Sequence, residues 1–387
     1  QEAGIGWSEV SYISFRTPRE TTHRVPADYP TIQEAIDAAL PADTVLIAPG
    51  TYTGTGNRGL ILREKQLVIR SEAGPAVTII DSQADPWNRA RGISLLRVPQ
   101  GTVLDGLTIR GGWSYPAGGG IYVGRGSPTV QNCIVAHNWA DEGSAVFVVD
   151  ASAMFINCKF VDNDAPSSMG ETVEIVQSNA ELRGCEFVHN RSGSAALGVV
   201  RANARIIDCV ISNNAANWGG LLVEDGSTAV VEGTLIANNW GCQSGGVGVY
   251  LRSTATIVGS TITRNLATEH LEYDAGGIHV GSGCELMLSR SIVWGNCGES
   301  VRDLGVKGTA TISCCALDTA GVRSATEITF EGPVIHGDPE FCHSSLCGPG
   351  STAEYDLKST SPCLPAGNEC QTQIGARGAC EEVGSSR

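Results

Sequence analysis

Carboxyl, imidazole, phenol and indole groups recur at equivalent places along this chain. Glu174 and Glu224 lie in short strand-like segments two repeats apart, offset by two positions. With coils about 4.8 Å apart and about 3.3 Å per residue, their Cα atoms fall about 12 Å apart. Side chains of that length can bring the carboxyls into the range of about 6.5–9.5 Å used by inverting glycosidases. One would then hold its proton while the other stays ionised. His279 and Tyr250, with Arg252, are the groups available for the other way of cutting a glycan, by elimination. Tyr122 and Phe147 share the outward register of Glu174, and Trp139, Trp218 and Trp240 lie in loops of three different repeats. Such rings suit stacking on the apolar faces of sugars. The stretch LATEHLEYDA, 266 to 275, is the longest insertion and brings Glu269, His270, Glu272, Tyr273 and Asp274 near His279. Long insertions in regular arrays are common places for function. Each group also has a plainer reading: solvated glutamates, tryptophans covering turns, a tolerated surface insertion.

What places these residues is a repeat. Seven segments align: NCIVAHN, NCKFVDN, GCEFVHN, DCVISNN, GTLIANN, GSTITRN and RSIVWGN, ending at Asn138, Asn163, Asn190, Asn214, Asn239, Asn265 and Asn296. The asparagines are 25, 27, 24, 25, 26 and 31 residues apart. Within each segment an all-apolar position (Val135, Phe160, Phe187, Ile211, Ile236, Ile262, Val293) follows a mixed one (Ile134, Lys159, Glu186, Val210, Leu235, Thr261, Ile292). That is the period of two of a strand with one face inward. A second strand precedes each motif, with Ile121, Val146, Val173, Leu197, Leu221, Val247 and Ile278 inward. It presents two outward rows. One runs Tyr122, Phe147, Glu174, Gly198, Leu222, Gly248, His279; the other runs Gly124, Val149, Val176, Val200, Glu224, Tyr250, Gly281. The glycines are expected to leave room beside the larger groups.

A unit of about 25 residues with strand period predicts stacked coils, a solenoid in which each repeat contacts only its neighbours. Asparagine tolerates a left-handed turn. Stacked, its side-chain amide can donate to the next asparagine's carbonyl oxygen and satisfy a buried polar group. Cys133, Cys158, Cys185 and Cys209 continue as Thr234, Ser260 and Ser291, and read as small inward residues with free thiols.

Composition narrows the partners. The 387 residues carry a net charge of −15 with only 26 Lys+Arg, which excludes a nucleic-acid backbone as partner. It also disfavours polyanions unless a local basic patch reverses the field. No stretch is apolar enough to span a membrane. Of 14 cysteines, eight follow residue 296 (Cys297, Cys314, Cys315, Cys342, Cys347, Cys363, Cys370, Cys380), a density that implies disulfides and an oxidising, extracellular compartment. No metal is expected; Asp162 and Asp164 lack a full calcium-ligand set.

The ends need protection. TIQEAIDAAL has Thr31 and Glu34 at capping-box spacing and an apolar face of Ile32, Ala35, Ile36, Ala39 and Leu40. VLDGLTIRGG reads as an early repeat with Gly111 in the asparagine slot. VPADYPTIQEAIDAALPADTVLIAPGTY resembles the entry segment of the pectin-lyase-like superfamily of right-handed parallel β-helices. GDPEFCHSS, followed by YDLKSTSPCLPAGNECQTQIGARGAC, is similar to the close of secreted bacterial β-helix repeat proteins. The resemblance spans residues 24 to 380 and implies fold rather than one activity, since the superfamily holds lyases, hydrolases, esterases, epimerases and adhesins. Its catalytic signatures are not found: the paired aspartates of polygalacturonases, the Arg-Pro motif of pectate lyases and the Gln/Asp/Arg set of pectin methylesterases.

The expectation is therefore an all-β right-handed parallel β-helix. An extension covers 1–23, coils with a capping helix at 30–40 cover 24–300, and last coils with a Cys-rich cap cover 301–387. It is expected to be a secreted monomer acting on a polysaccharide or cell-surface glycan without a cofactor, as a glycoside hydrolase. The alternatives are a non-catalytic glycan-binding or adhesin-like protein, and a lyase.

Overall fold

The computed structural model describes residues 20–269, 272–342, 347–348 and 355–380. Within them the chain winds through three long parallel sheets of 13, 11 and 12 strands, here sheets I, II and III, with strands in strict chain order. One coil runs through Ile121–Gly124 in sheet II, Thr129–Gln131 in sheet I and Ile134–Ala136 in sheet III. A short fourth strand, Trp139–Glu142, follows before the chain re-enters sheet II at Val146–Val149. With one strand per turn, sheet II counts about 11 turns.

The core is the stack of inward rows that the strand period implies. Val130, Phe155, Leu182, Ile206, Val231, Ile257 and Leu288 line sheet I, Val135 to Val293 line sheet III, and Ile121 to Ile278 line sheet II, all in one buried cluster. Phe160 and Phe187 touch across coils with ring centroids 4.8 Å apart.

The asparagine ladder forms as expected. Each Nδ2 donates to Oδ1 of the next asparagine, from Asn138–Asn163 at 3.0 Å to Asn265–Asn296 at 3.0 Å. Each backbone N–H donates to the same oxygen. The left-handed residue is a different one, however. His137, Asp162, His189, Asn213, Asn238 and Arg264, each just before a ladder asparagine, carry φ of 53–58°. The turn thus uses one residue for backbone shape and the next for hydrogen bonding. The same register corrects the early repeat. Gly111 (φ 65°) occupies the left-handed slot, and Gly112 stands in the asparagine slot, its N–H donating to Asn138 Oδ1 at 2.9 Å.

Cys133, Cys158, Cys185 and Cys209 are buried free thiols, and their column continues through Thr234, Ser260 and Ser291 to Cys315. Burial pushes the Cys133 and Cys315 thiols up to about 12, so they are inert. Of the eight late cysteines, six pair as Cys297–Cys347, Cys314–Cys370 and Cys342–Cys380, while Cys315 and Cys363 stay reduced.

Helix α1 (Ile32–Ala38) is capped by Thr31, whose Oγ1 accepts from Glu34 N–H at 3.3 Å, and it buries Ile32, Ala35 and Ile36. Leu40 lies past its end and is 64% exposed, so the apolar face stops at Ala39. The disulfide-bonded segment does more than follow the last coil. Phe341, Tyr355, Leu357, Cys363 and Ile374 pack on Leu235, Ala237, Ile292 and Ala316, on the outer face of sheet III. Tyr355 Oη donates to Asn238 Oδ1 at 2.9 Å. That cover explains the mixed outer row. Lys159 and Glu186, outside it, form an exposed ion pair at 2.9 Å, whereas Leu235 and Ile292, beneath it, are apolar.

Candidate functional site

The outward row of sheet II aligns in register as Tyr122, Phe147, Glu174, Gly198, Leu222, Gly248, His279 and Gly305. It is not an open shelf. Phe147 is 9%, Glu174 6%, Leu222 1% and His279 3% exposed. The glycines do not leave empty room; they admit a neighbour's atoms. A Cβ on Gly198 would lie 2.4 Å from Glu171 Cγ, one on Gly248 would lie 2.8 Å from Tyr250 Cε2, and one on Gly305 would lie 2.0 Å from the Tyr273 carbonyl oxygen.

Glu171 is the residue that sequence reasoning missed. It ends the loop leading into the strand Val173–Val176. Its register equivalents in the neighbouring coils are Gly119, Ser144, Ala195, Gly219, Gly245 and Gly276, so between Arg91 and Arg302 it is the one long side chain in a row of small ones. That exception was the available signal. The side chain lies over Gly198, and Ser194 Oγ donates to its Oε1 at 2.9 Å.

The Glu171 side chain lies over Gly198, the register neighbour of Glu174, so the two carboxyls adjoin and a proton on one can serve the other. As two carboxylates they would each leave a buried Oε2 without a donor; with a shared proton they satisfy one another. Burial is the main cause that raises both pKa values, and for Glu174 the charges of Glu171 and Glu142 add to it. Hydrogen bonds from Glu174 and Ser194 pull Glu171 back down, which leaves Glu174 as the proton-holding member. Glu224 is half-buried, and burial followed by the charge of Asp225 raises its pKa while Arg201 opposes. Its charge also acts on Glu171.

A second cluster spans two to four coils from Glu174 and ends at His279, about 19 Å along the axis. Trp218 meets Tyr250 edge to face at 4.2 Å, and Tyr250 stacks on His279 at 4.8 Å. His279 Nδ1 lies 3.5 Å from Asp274 Oδ1. Burial, then the charge of Lys307, push the His279 pKa down to about 4, so the ring is neutral at pH 7. Burial, then the charge of Asp274, push the Tyr250 phenol well above its ordinary value. The insertion closes over this end of the row: the Tyr273 carbonyl rests on Gly305, and the Tyr273 ring is flanked by Lys307 and Arg323 at 5.1 and 5.5 Å. Glu272 pairs with Arg323 at 2.7 Å. His270 lies outside the described residues.

The three tryptophans do not line one wall. Trp139 stacks on Trp113 at 4.2 Å in a short sheet, while Trp240 stands four coils along the same edge, and only Trp218 reaches a row of sheet II. Tyr122 and Phe147 stack at 5.7 Å beside Glu174, and Arg91 covers the Tyr122 ring at 4.9 Å. Arg252 is exposed at a turn. Among the described residues no group of His, Cys, Asp or Glu is arranged to hold a metal ion, and no helix is long and apolar enough to cross a membrane.

Residues 144–317 match the family described as the right handed beta helix region. Among solved structures, a pectate lyase, Pel9A, aligns with TM-score 0.61 at 14% identity over 90% of this chain and 91% of its own. A pectin methylesterase from carrot aligns at 0.40 and 14% over 82% and 91%, and the catalytic domain of a GH87 alpha-1,3-glucanase at 0.39 and 12% over 84% and 70%. No curated protein matches the sequence. The chain is thus a right-handed parallel β-helix similar to the pectin-lyase-like fold.

Proposed function

We propose that this protein is a secreted carbohydrate-active enzyme that hydrolyses glycosidic bonds at the Glu171–Glu174 pair. The observation that carries the reading is two adjoining buried carboxyls, Glu171 and Glu174, with no basic side chain bonded to them among the described residues. Burying such groups costs free energy that packing alone does not require, and perturbed carboxyls in this arrangement are typical of acid catalysts. Glu174 holds the proton and passes it to the leaving oxygen. Glu171 acts through Glu174, as a positioning residue that keeps it protonated. Glu224, more exposed and two coils on, takes the proton of the attacking water. The stacked Tyr122–Phe147 pair borders the sugar path beside Glu174 with its ring edges. That the pectate lyase of like fold is named for a polysaccharide supports the substrate class, and three disulfides support secretion. Helix α1 serves in this reading as the plug of the first coil.

The test is a polysaccharide panel assayed for new reducing ends. Glu174→Gln is expected to abolish the activity and Glu171→Gln to move its alkaline pH limb to lower pH. Unchanged rates in both variants would remove the pair from the mechanism.

The near-complete burial of Glu174 and Glu171 favours one other reading, a glycan-binding solenoid without turnover. It predicts binding with no product from any polymer. Elimination is less well supported, because His279 is buried beside the insertion and the Tyr250 hydroxyl is itself buried. An unsaturated, ultraviolet-absorbing product would reinstate it.

A further inference from the structure

The chain is acidic overall, yet one cavity on sheet II is ringed by guanidinium groups. It has a volume of about 370 Å³ and is lined by Arg63, Arg97, Arg125, Tyr122 and Asp150 over a floor of Leu96, Gly124 and Val149. Its shape follows from the register. Arg63, Leu96, Gly124 and Val149 are neighbours across four successive coils, so the missing side chain of Gly124 opens the floor between Leu96 and Val149. The Tyr122 ring leans over that gap, 2.9 Å from where a Gly124 Cβ would be. Arg97 and Arg125 follow the ends of adjacent strands, both left-handed with φ of 50° and 56°. Two like charges are therefore held one coil apart, about 4.8 Å between backbones. Glu64 engages Arg97 at 2.6 Å, but the Arg125–Asp150 contact is a loose 3.7 Å, and the lining keeps an excess of positive charge.

We propose that this cavity binds an anionic substituent, a carboxylate or sulfate, on a glycan chain that lies along sheet II. The site is chemically suited to it. Guanidinium forks pair with planar or tetrahedral oxyanions, the Tyr122 phenol borders the cavity, and the field there opposes that of the rest of the surface. Tyr122 stands two coils, about 10 Å, from Glu174. The cavity is thus a subsite of the groove in the hydrolase reading, on which this placement rests. It selects a charged sugar to one side of the bond that is cut.

The test is calorimetric titration of protein carrying Glu174→Gln, which leaves any bound chain intact. The ligands are a hexamer of galacturonic acid, its methyl ester, and a sulfated neutral hexamer. One or both acidic ligands bind with affinity that falls as salt rises, and which of them binds identifies the anion. The methyl ester does not bind. The double variant Arg97→Ala, Arg125→Ala weakens binding at least tenfold, while Arg70→Ala, an exposed arginine on sheet I, leaves it unchanged. Equal binding of the methyl ester, no binding of either acidic ligand, or indifference to the double variant overturns the proposal. Acidic binding without product from any polymer sinks the hydrolase reading alone. Product from a neutral polymer with no acidic binding sinks the subsite alone.

Discussion

Two stacks of buried polar groups run along this solenoid, and they are built on opposite terms. In the ladder every donor and acceptor has a partner fixed by the coil repeat. Asn214, for example, accepts from Asn190 N–H and Nδ2 and donates to Phe187 O and Asn239 Oδ1, all at 2.9–3.0 Å. At the outward row of sheet II, Glu174 and the preceding Glu171 satisfy each other only by sharing a proton, and the Tyr250 hydroxyl has no partner among the described residues. The first stack is what stability requires. The second departs from that requirement, as the proposed site would.

The largest effect expected from this contrast is on the ladder. Asn214→Leu removes four buried hydrogen bonds and leaves Asn190 N–H without its acceptor, while Asn239 Oδ1 keeps the Asn214 N–H and Asn190 Nδ2 keeps Phe160 O; each group left unpaired costs about 1–3 kcal/mol before relaxation. Stability should fall by several kcal/mol, read as a lower urea midpoint. A loss below about 1 kcal/mol would show that the ladder is ornamental to the coil stack.

The carboxyl pair should behave in the opposite sense. Glu174→Gln keeps the size and hydrogen-bonding capacity of the side chain and removes one ionisable group. Activity should fall about 100- to 10,000-fold, the usual worth of a general acid. Stability at pH 7 should hold or rise, because a carboxyl whose folded pKa is raised costs the fold stability as pH climbs past its unfolded value. A variant that unfolds while its ladder is intact would mark the pair as structural and erase the contrast.

The legible part of this molecule is the part that repeats. The inward rows and the ladder follow from a period of two inside a period of about 25, so a single chain displays them many times over. What the repeat does not encode is how its loops fold back. Glu224, Tyr250 and His279 were placed on the right face by register, but which groups touch depends on loops of unequal length. Trp139 was drawn to Trp113 in a neighbouring coil, away from the row it was expected to flank. Glu171 belongs to no apolar or polar strand period, since it stands before the strand, and it was visible only as a misfit among small residues. The outer cover on sheet III is held by contacts as distant as Tyr355 to Asn238, which no local pattern announces.

A smaller effect is expected where the two stacks meet the same physics. The ladder ends on a carboxyl: Asn296 N–H and Nδ2 donate to Asp303 Oδ1 at 3.0 and 2.8 Å. Spacing hid this member, which follows Asn296 by seven residues rather than a full coil. Burial, opposed by those hydrogen bonds, raises the Asp303 pKa from 3.8 to about 6. The unfolded chain releases this proton first, so stability through Asp303 falls as pH rises from about 4 to about 6 and stays low above it. Asp303→Asn keeps the accepting oxygen and removes the charge. It should stabilise the protein by about 1–3 kcal/mol at pH 7 and by little at pH 4, which flattens the pH dependence of the thermal midpoint. An equal shift at both pH values would mean that charge is not what the ladder end is paying for.

The smallest expected effect separates the two outward clusters. The Tyr250 hydroxyl is buried without a partner, between Trp218 and His279. Removing an unpaired buried hydroxyl relieves its desolvation penalty, so Tyr250→Phe should keep stability or raise it by about 1 kcal/mol. If hydrolysis occurs at Glu174, three coils away, the rate should fall far less than in Glu174→Gln, since the phenol packs between Trp218 and His279 and only its backbone neighbours Glu224. The opposite result is equally informative. A folded Tyr250→Phe protein that loses activity by two orders of magnitude, beside a Glu174→Gln protein that keeps it, would move the chemistry to the His279 cluster. The unpaired hydroxyl would then be the group that meets substrate, and the insertion would have to open to admit it. The two variants together decide which departure from full pairing is functional and which is a tolerated cost of packing aromatic rings over glycines.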